Sequence, residues 1–499
     1  LRTPLVEVNK TSQLVYGATF GGDMPWTIPA ADTPLAYVVG VERREEDSQH
    51  RPDDNYKTGN SIGFGASSDI SAEIEVTEYF GELRLPLVEG VSFVESLVLE
   101  TGIRYSDYKN TTLVRGTTTQ NDFEETTYKF GGEWAPGGGL RLRGMFQRAT
   151  RAPSLQEIGL PREPSTGDLS NDPCEGDNPT TGPDATQELR DLCVATGVPP
   201  GQLGSVVSII SGQINIFLAG EPTLQPEDSD TTTVGFVWTP ENFLEGLELS
   251  VDYYEIDIDG AIREITEQNI IDGCYDPSQN TTGDPNNAFC QRVFRNNSGG
   301  LIGPKEFGVD RTRVNAGFLK VEGVDFSAAY GWDIGAGALD IGLVGSYVLG
   351  NDQQDVAGSA DGASSPIFSC EGLGGATCVR PSPELVFIQT TSWTQGPVSV
   401  QLVWSFIDEV KQDSVAFGNR DASEFAVVTI DSQNYFDLSG NYEINDTWTV
   451  RAGIENLLDE DPPVIGTDWG GTAEVSGNTY PSIYDPLGRK YWFGVKATF

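Results

Sequence analysis

The residues with the clearest capacity for chemistry are six cysteines, because a thiol can coordinate a metal, act as a nucleophile or close a disulfide. They lie at Cys174 and Cys193, Cys274 and Cys290, and Cys370 and Cys378, with 18, 15 and 7 residues between the members of each couple. No two are spaced as CxxC, and the chain has a single histidine. Zinc and iron–sulfur sites need tighter spacing of thiolates or histidines. We therefore infer three local disulfides, formed in an oxidising compartment.

The sequence contains no arrangement typical of an enzyme. It has neither an HExxH nor a phosphate-binding GxxxxGK[ST] motif. The one histidine, His50, stands among Gln49, Arg51 and Asp53, where we expect a solvated loop residue rather than a general base. With 74 Asp and Glu residues, adjacent carboxylates arise readily and indicate a solvated surface rather than an acid–base pair. We predict that the protein is not an enzyme.

The net charge of −43 excludes a general affinity for nucleic acid, because neutralising phosphates requires clusters of Lys and Arg. Such a charge is typical of a solvated surface, or of acidic loops that hold divalent cations or select cationic ligands, and the sequence leaves both interpretations open. Residues 276–287 offer enough oxygen ligands for Ca²⁺ but lack EF-hand spacing. We expect no cofactor, with Ca²⁺ in acidic loops as the alternative.

The elements that position these residues are predicted to be β-strands. Apolar and polar side chains alternate with period two in many segments, for example Val398-Val400-Leu402-Trp404-Phe406. No apolar run reaches the length of a membrane-spanning helix. We predict an all-β fold with about fifteen strands, at 12–20, 34–45, 72–87, 96–108, 122–135, 140–150, 227–239, 247–259, 321–333, 338–350, 381–394, 398–410, 431–444, 447–457 and 489–499.

The last of these strands, 489–499, ends on the aromatic Phe499. Tyr491, Phe493 and Val495 share one face, while Lys490, Gly494 and Lys496 share the other, with Trp492 out of phase. One face suits hydrocarbon and the other suits water. About eleven residues is the length of a tilted strand that crosses a bilayer. The segment is typical of the closing strand of an outer-membrane barrel.

The connections between the predicted strands alternate between short and long. The long ones, each predicted to be extracellular, are 46–71, 109–121, 151–226, 260–320, 351–380, 411–430 and 458–488. All six cysteines fall in long connections. Short turns at one edge and long loops at the other indicate a transmembrane antiparallel β-barrel, with periplasmic turns and extracellular loops. An odd strand count does not close an antiparallel barrel, so we expect further strands upstream of this sequence.

Two local features carry further expectations. The alternation slips phase at Tyr253-Tyr254-Glu255, where we expect a β-bulge or a strand that continues above the membrane. The chain opens on Leu1-Arg2-Thr3-Pro4 and polar sequence, so the signal peptide of an exported protein is expected to have been removed or to lie outside this sequence.

Several motifs stand in a fixed order over roughly 140–499. They are Arg151-Ala152-Pro153-Ser154 with Glu157, Asp172-Pro173-Cys174, Leu224-Gln225-Pro226-Glu227, Gly323-Val324-Asp325-Phe326, Asn456-Leu457-Leu458-Asp459, and Gly488-Arg489 with the terminal Phe499. The ordered series resembles the TonB-dependent outer-membrane receptors, and this chain resembles the C-terminal part of their β-barrel.

The motif residues are interpreted as structural rather than catalytic. Arg151 and Pro153 are expected to end a strand, because Pro cannot donate to the ladder and Arg can satisfy exposed carbonyls. Asn456 and Asp459 are expected to close a turn onto backbone amides. The resemblance implies that Phe499 is read by the barrel assembly machinery.

The resemblance also implies a 22-stranded barrel filled by an N-terminal plug with a TonB box, neither of which lies in this sequence. The implied function is TonB-dependent uptake of a scarce nutrient, such as a ferric siderophore, cobalamin, an oligosaccharide or a peptide, in the outer membrane of a Gram-negative bacterium. The implied partners are lipid and lipopolysaccharide, TonB through the plug, and the assembly machinery. The single histidine makes haem a less suitable ligand.

Two alternatives stay open beside energy-coupled uptake. The first is a passive porin-like channel or an outer-membrane binding or adhesion protein, and the second is a barrel completed by a separate chain. The substrate-binding residues are unknown. Loop aromatics that could stack on a ligand, or instead anchor the long loops, are Phe217, Phe289, Phe294, Phe368 and Trp469.

Overall fold

The computed structural model describes residues 4–498 except for 60–66, 115, 161, 170, 208–212, 242–243, 304–305, 316, 355–365, 376, 419, 467–468 and 470–477. Its strands are β1 (Glu7–Asp23), β2 (Ala36–Pro52), β3 (Ile70–Val91), β4 (Val94–Val114), β5 (Thr117–Gly137), β6 (Leu140–Arg151), β7 (Glu163–Asp168), β8 (Gln213–Leu218), β9 (Glu227–Trp238), β10 (Glu248–Asp259), β11 (Ile262–Arg263), β12 (Val293–Phe294), β13 (Gly308–Asp310), β14 (Val314–Asn315), β15 (Phe318–Ile334), β16 (Gly337–Gln354), β17 (Phe368–Ser369), β18 (Leu373–Gly374), β19 (Leu385–Gln395), β20 (Val398–Ile407), β21 (Val410–Gln412), β22 (Thr429–Ile430), β23 (Gln433–Glu443), β24 (Trp448–Glu455) and β25 (Lys490–Ala497).

The α-helices are short and lie in the connections between strands. They are α1 (Asp54–Lys57), α2 (Leu155–Gly159), α3 (Asn178–Thr181), α4 (Gln187–Ala195), α5 (Glu267–Tyr275) and α6 (Asp413–Ala416), with 3₁₀ turns at Pro200–Gln202, Cys290–Arg292 and Ala422–Glu424. Within the described ranges, none of these helices has the length and apolar character needed to cross a membrane.

One large antiparallel sheet forms the body of the molecule, which confirms the all-β prediction. Among the described residues, its main path runs β1-β2-β3-β4-β5-β6-β9-β10-β15-β16-β19-β20-β23-β24-β25, and β17 pairs with β16 beside this path. The path follows chain order, so each strand lies beside its predecessor on the path. Each predicted strand segment overlaps one strand of this path.

The connections along this path alternate between the two edges of the sheet. At one edge are residues 24–35, 92–93, 138–139, 239–247, 335–336, 396–397 and 444–447. At the other edge are 53–69, the turn between β4 and β5, 152–226, 260–317, 355–384, 408–432 and 456–489. The prediction of a long loop at 109–121 is wrong, because β4 continues to Val114 and β5 resumes at Thr117. The threonine-rich sequence there has high β-propensity and extends the hairpin.

The two faces of the sheet differ in chemistry. On the face that we call the apolar face, Phe387 pairs with Phe406 and Trp404 with Phe436, with ring centroids 5.0 and 5.9 Å apart. The opposite, polar face carries the run Asp252, Asp325 and Ser346 on β10, β15 and β16, which lie opposite one another in register. This alternation follows from the two-residue period of a β-strand.

The polar face itself divides into two regions. Across β3, β4 and β5 it carries ion pairs, including Lys129 Nζ to Glu82 (2.7 Å) and Arg104 Nη1 to Glu78 (3.3 Å). Strands β16, β19, β20 and β23 contain no Lys or Arg at all. The charged region is therefore rich in compensated pairs, while the other region has only carboxylates, hydroxyls, amides and apolar groups.

The expected irregularity near Tyr253-Tyr254-Glu255 occurs on a neighbouring strand pair. β10 keeps an unbroken register with both β9 and β15, so the prediction of a bulge within β10 is wrong. The register shift lies between β15 and β16, at Glu322 and Gly323, directly opposite Glu255 and Tyr254. A bulge in one strand pair changes local twist and can re-aim side chains without breaking the next ladder.

Candidate functional site

The connections 152–226 and 260–317 fold together into what we call the first loop unit. Strands β7 and β8 come from the first connection, β12 and β13 from the second, and the four form one small sheet in the order β12-β13-β8-β7. Beneath them lies a buried apolar core that includes Leu192, Ile216, Ile270 and Val309. Two connections far apart in sequence therefore share one core, and the unit is a folded body rather than a pair of separate loops.

Disulfides close the chain within each loop. Cys174 bonds Cys193 and Cys274 bonds Cys290, both in the first loop unit, and Cys370 bonds Cys378 further along the chain. The pairs are those inferred from sequence neighbours. The four cysteines of the first loop unit belong to its apolar core, so these two disulfides lie away from solvent reductants.

A buried ion pair joins the two halves of the first loop unit. The Arg295 guanidinium donates to both carboxylate oxygens of Asp172 at 2.7 Å, and the two side chains are 0% and 1% exposed. Arg295 also donates to Gly299 O at 2.9 Å and to the Tyr275 hydroxyl at 3.2 Å. That hydroxyl lies 2.6 Å from Thr196 Oγ1. Asp172 and Thr196 belong to the first connection and the other residues to the second, so the network joins the two.

Arg151, at the end of β6, connects three segments of chain. Its guanidinium donates to Glu227 at 2.5 and 2.7 Å and to Glu157 at 2.9 and 3.1 Å. Glu227 Oε1 also accepts from the Ile262 amide at 2.5 Å. The expectation that Arg151 satisfies exposed carbonyls is wrong, because two carboxylates surround it and form stronger, charge-assisted bonds.

The residues after Arg151 turn onto the polar face of the sheet. Pro153 is buried and Ala152 packs against a small apolar cluster. Ser154 then caps α2 in a capping box with Glu157, whose carboxylate accepts from the Ser154 amide at 2.7 Å. Ile158 of α2 packs on β3 and is 1% exposed. α2 therefore covers part of the polar face at the long-loop edge of the sheet.

The connections 355–384, 408–432 and 456–489 form what we call the second loop unit. Its core contains Val410, Trp469 and Tyr480, each 1% exposed or less. Buried Asp413 accepts from the Thr377 and Cys378 amides at 2.8 Å each, so it fixes the Cys370–Cys378 loop to the next connection. The Tyr480 hydroxyl donates to Trp469 O and lies within hydrogen-bond reach of Val379 O. All three connections are thereby cross-linked.

The motif at 456–459 forms a tight turn at the end of β24. Asn456 and Asp459 adopt φ values of +51° and +61°, a left-handed region that Asn and Asp tolerate better than most residues. Asn456 Oδ1 accepts from the Glu460 amide at 2.8 Å, and Asp459 Oδ1 accepts from the Arg489 amide at 3.0 Å. The Leu457 amide donates to Phe436 O at 2.6 Å. Phe499 lies outside the described residues.

A pocket of about 620 Å³ lies on the polar face across β10, β15, β16, β19 and β20. We call it the polar-face pocket. Its apolar lining includes Val344, Val386, Ile388 and Ile407, and its polar lining includes Ser250, Ser327, Ser346, Ser405, Asp252 and Asp325. The mixture of an apolar floor with a few polar groups is typical of small-molecule sites.

The two carboxylates of this pocket differ in their surroundings. Asp252 accepts two bonds from Arg143, at 2.7 and 2.5 Å. Asp325 is exposed on the same face, next to Asp252 in the register. Within the described part of the chain, no Lys, Arg or His lies within ion-pair distance of Asp325. The pocket therefore holds one compensated and one free carboxylate.

The oxygen-rich segment 276–287 uses its side chains in its own turns. Asp276 accepts from the Ser278 amide at 2.7 Å and Asp284 from the Asn286 amide at 2.9 Å. Asn280 donates to Cys274 O at 2.9 Å. Within the described residues, no group of three or more His, Cys, Asp or Glu side chains is arranged to hold a metal ion. Ca²⁺ binding stays a prediction from the sequence.

His50 lies in β2 and not in a loop, because β2 continues to Pro52 and pairs with β1 throughout. Its ring nitrogens lie 2.6 Å from Asn9 Oδ1 and 2.9 Å from Ser67 Oγ. These contacts hold the ring between two strands and a loop. One ring nitrogen therefore contacts a serine hydroxyl and the other a side-chain amide oxygen.

Among the described residues of the first loop unit, two carboxylates have shifted pKa values. Burial raises the pKa of Asp272 in α5 to about 6, with nearby Asp276 adding to the increase and the Gln268 hydrogen bond opposing it. Burial also raises the pKa of Glu157, but bonds from Arg151 and Ser154 outweigh it and bring the net value below the ordinary one. The Asp272 carboxyl therefore loses its proton at a higher pH than an ordinary aspartate does.

Most of these features have no local signal in the sequence. Arg295 and Asp172 are 123 residues apart, and Asp413 and Cys378 come from different connections. Of the loop aromatics, Phe217, Phe289 and Trp469 are buried, and the last two belong to the loop cores. Phe294 is 39% exposed and Phe368 is partly buried. The absence of Lys and Arg from four successive strands could have indicated the polar-face pocket.

Comparison with known proteins shows which proteins share this architecture. The family model described as "TonB dependent receptor-like, beta-barrel" matches residues 6–457. No curated protein matches the chain. Among solved structures, the ferric-catecholate import receptor Fiu from E. coli K12 superposes with a TM-score of 0.51 at 12% identity, covering 98% of this chain and 55% of that one.

Two further structures give similar values. The Serratia marcescens hemophore receptor HasR, solved with its hemophore HasA and heme, has a TM-score of 0.51 at 15% identity, covering 98% of this chain and 60% of that one. The copper transporter OprC has a TM-score of 0.52 at 13% identity, with 99% and 58% covered. At these identities the similarity establishes the fold. The chain spans between 55% and 60% of the length of these three proteins.

Proposed function

This chain belongs to the TonB-dependent receptor family, and from that membership we propose that it forms much of the barrel wall and external loops of a receptor for energy-coupled nutrient uptake. The family consists of transporters of the Gram-negative outer membrane that bind nutrient ligands. The observation that carries the proposal is the continuous antiparallel path on which all folded, disulfide-closed connections lie at one edge.

In this proposal the apolar face contacts lipid and the polar face lines the lumen. Tyr491 and Phe493 on the last strand are 71% and 72% exposed, as expected of side chains that contact hydrocarbon. The short-turn edge faces the periplasm, and both loop units face the outside, where acidic lipopolysaccharide and its cations surround them. The β4–β5 hairpin would extend beyond the membrane on the same side.

We further propose a closed barrel of 22 strands with a plug in its lumen. Among the described residues, β1 pairs only with β2 and β25 only with β24, so each has one edge available to further strands. The plug would carry the TonB box and lie within the lumen. Phe499 would present the terminal aromatic to the assembly machinery.

Transport by this route is physical and requires no bond chemistry. The two loop units, each with its own buried core, would capture the nutrient from outside and retain it near the lumen. TonB would then pull the plug and open a path along the polar face. The nutrient would be a ferric siderophore, cobalamin, an oligosaccharide or a peptide.

Growth of a deletion strain tests the proposal. Cells lacking the full-length gene are supplied with a single source of iron, cobalamin, glycan or peptide, in backgrounds with and without TonB. We expect a selective defect for one source, which the restored gene corrects only when TonB is present. Restoration that is independent of TonB would instead indicate a passive channel, and the absence of any selective defect would contradict a dedicated importer.

A further inference from the structure

We propose that the polar-face pocket binds the translocating ligand, and that this ligand is an amphiphilic molecule with a cationic group rather than an anionic chelate. Asp325 would pair with the cation, while Val344, Val386 and Ile388 would contact its apolar part. The inference rests on the proposed function, because it assigns the ligand class of the same lumen. Four features of the wall support it.

The first feature is the free carboxylate. Arg143 already neutralises Asp252 through two short bonds. Asp325 is exposed, and no described cation lies within ion-pair distance of it. A carboxylate whose neighbours supply no countercharge attracts a cation from the ligand and repels an anion.

The second feature is the composition of the wall beyond the pocket. No Lys or Arg occurs in residues 321–379 or 381–410, which include β16, β19, β20 and nearly all of β15. An anionic ligand on this wall would therefore find no cationic partner contributed by these strands. The chain as a whole carries a net charge of −43, which favours accumulation of cations near its surface.

The third feature is the exposed apolar floor. Val344, Val386 and Ile388 are 56%, 37% and 47% exposed on the polar face. Side chains that line the interior of a barrel are usually polar. An apolar group of a ligand would bury this surface and gain stability in proportion to the area removed from water.

The fourth feature is the ring of hydroxyls around this floor. Ser250, Ser327, Ser346 and Ser405 line the pocket, and each can donate or accept a hydrogen bond without imposing charge. A volume of about 620 Å³ lies within the range of small-molecule sites. The site therefore suits a compact solute with an apolar body, a few polar groups and one positive charge.

Binding of three matched probes tests the inference. The full-length receptor is placed in lipid nanodiscs, and benzyltrimethylammonium, benzyl alcohol and benzenesulfonate are titrated by calorimetry. We expect the ammonium to bind about tenfold more tightly than the sulfonate, with the alcohol between them, since one partly desolvated charge pair gives a difference of this order. Asp325→Asn should remove most of the preference for the ammonium.

Asp340→Asn is the matched control, because Asp340 lies on the same face of β16 but outside the pocket. This variant should bind all three probes with affinities within about twofold of the wild-type values. Val344→Thr keeps the side-chain shape and should weaken all three probes without changing their ratio. Circular dichroism and the heat-dependent gel shift of each variant establish that it is folded.

Several results would overturn the inference: equal or tighter binding of the sulfonate, an unchanged ratio in Asp325→Asn, or no binding of any probe. These failures are distinguishable from failure of the proposed function. A receptor that restores TonB-dependent growth on an anionic nutrient keeps its function and loses this assignment. A receptor that binds the ammonium through Asp325 but restores no growth loses the function instead.

Discussion

Removing Arg295 should destabilise the first loop unit without unfolding the barrel wall. The Arg295→Met variant leaves the Asp172 carboxylate, which is 1% exposed, without its countercharge. Leaving one member of a buried ion pair without its partner lowers the free energy of unfolding by about 3–5 kcal/mol. The Gly299 carbonyl and the Tyr275 hydroxyl also lose a donor. Met has a similar length and is apolar, so the change tests charge more than volume.

Native-state hydrogen exchange is the appropriate assay, because the first loop unit has its own core and can open while the sheet stays intact. The amides of α4 and α5 report on its two halves. A loss of about 3–5 kcal/mol raises their exchange rates roughly a hundredfold to several thousandfold. Amides of β19 and β20 should exchange at the wild-type rate.

Two further variants sharpen the result. Arg420→Met removes an exposed ion pair with Glu424 in the second loop unit, 3.2 Å long, and should change exchange by at most about twofold or threefold. Arg295→Met combined with Asp172→Asn removes the stranded charge and keeps an acceptor for the Cys174 amide. It should recover part of the loss. Wild-type exchange in Arg295→Met, or a double variant no better than the single one, would refute the reasoning.

Three further predictions concern the loop units and their anchors. The folded-state pKa of Asp272 is raised from 3.8 to about 6, so the wild-type protein is most stable below pH ~4, where this carboxyl is protonated in both states. We expect α5 to lose at most about 3 kcal/mol of stability, measured by hydrogen exchange, as the pH rises from ~4 through ~6. Asp272→Asn should abolish this pH dependence. A wild-type profile that is flat between these pH values would contradict this. Glu227→Gln weakens the Arg151 network and should destabilise the loop anchor by about 1–2 kcal/mol, measured by limited proteolysis; wild-type cleavage rates would count against the network. Replacing Cys370 and Cys378 by Ser opens a short loop and should lower its local stability by about 2.5 kcal/mol, measured by hydrogen exchange. Amide protection equal to that of the wild type would contradict this prediction.

The strands were predictable because each one alternates over its whole length between two environments. Val398 to Phe406 shows this pattern without any knowledge of its neighbours, and β20 spans it. On the main path each strand pairs with the next strand of the path in chain order, whether the connection between them is short or long. The hairpin tip near 109–121 was missed because its polar residues carry no apolar period, although threonine favours strand.

The loop cores could not be predicted from local sequence. Arg295 meets Asp172, and Trp469 lies in one core with Val410, only because distant connections fold together. The motif at Arg151 signalled a strand end but not its partner Glu227, which is 76 residues away. The cysteines were an exception, since near neighbours in the sequence close short loops at low entropic cost.

The central claim, energy-coupled uptake, is tested most directly by the accumulation ratio of the nutrient identified by growth. Its concentration inside and outside the periplasm is measured in cells with the full-length receptor, before and after the proton gradient is collapsed. Energy coupling predicts accumulation against the gradient that falls to equality on collapse and is absent without TonB. Equal concentrations in energised cells, reached at the same rate with or without TonB, would contradict it.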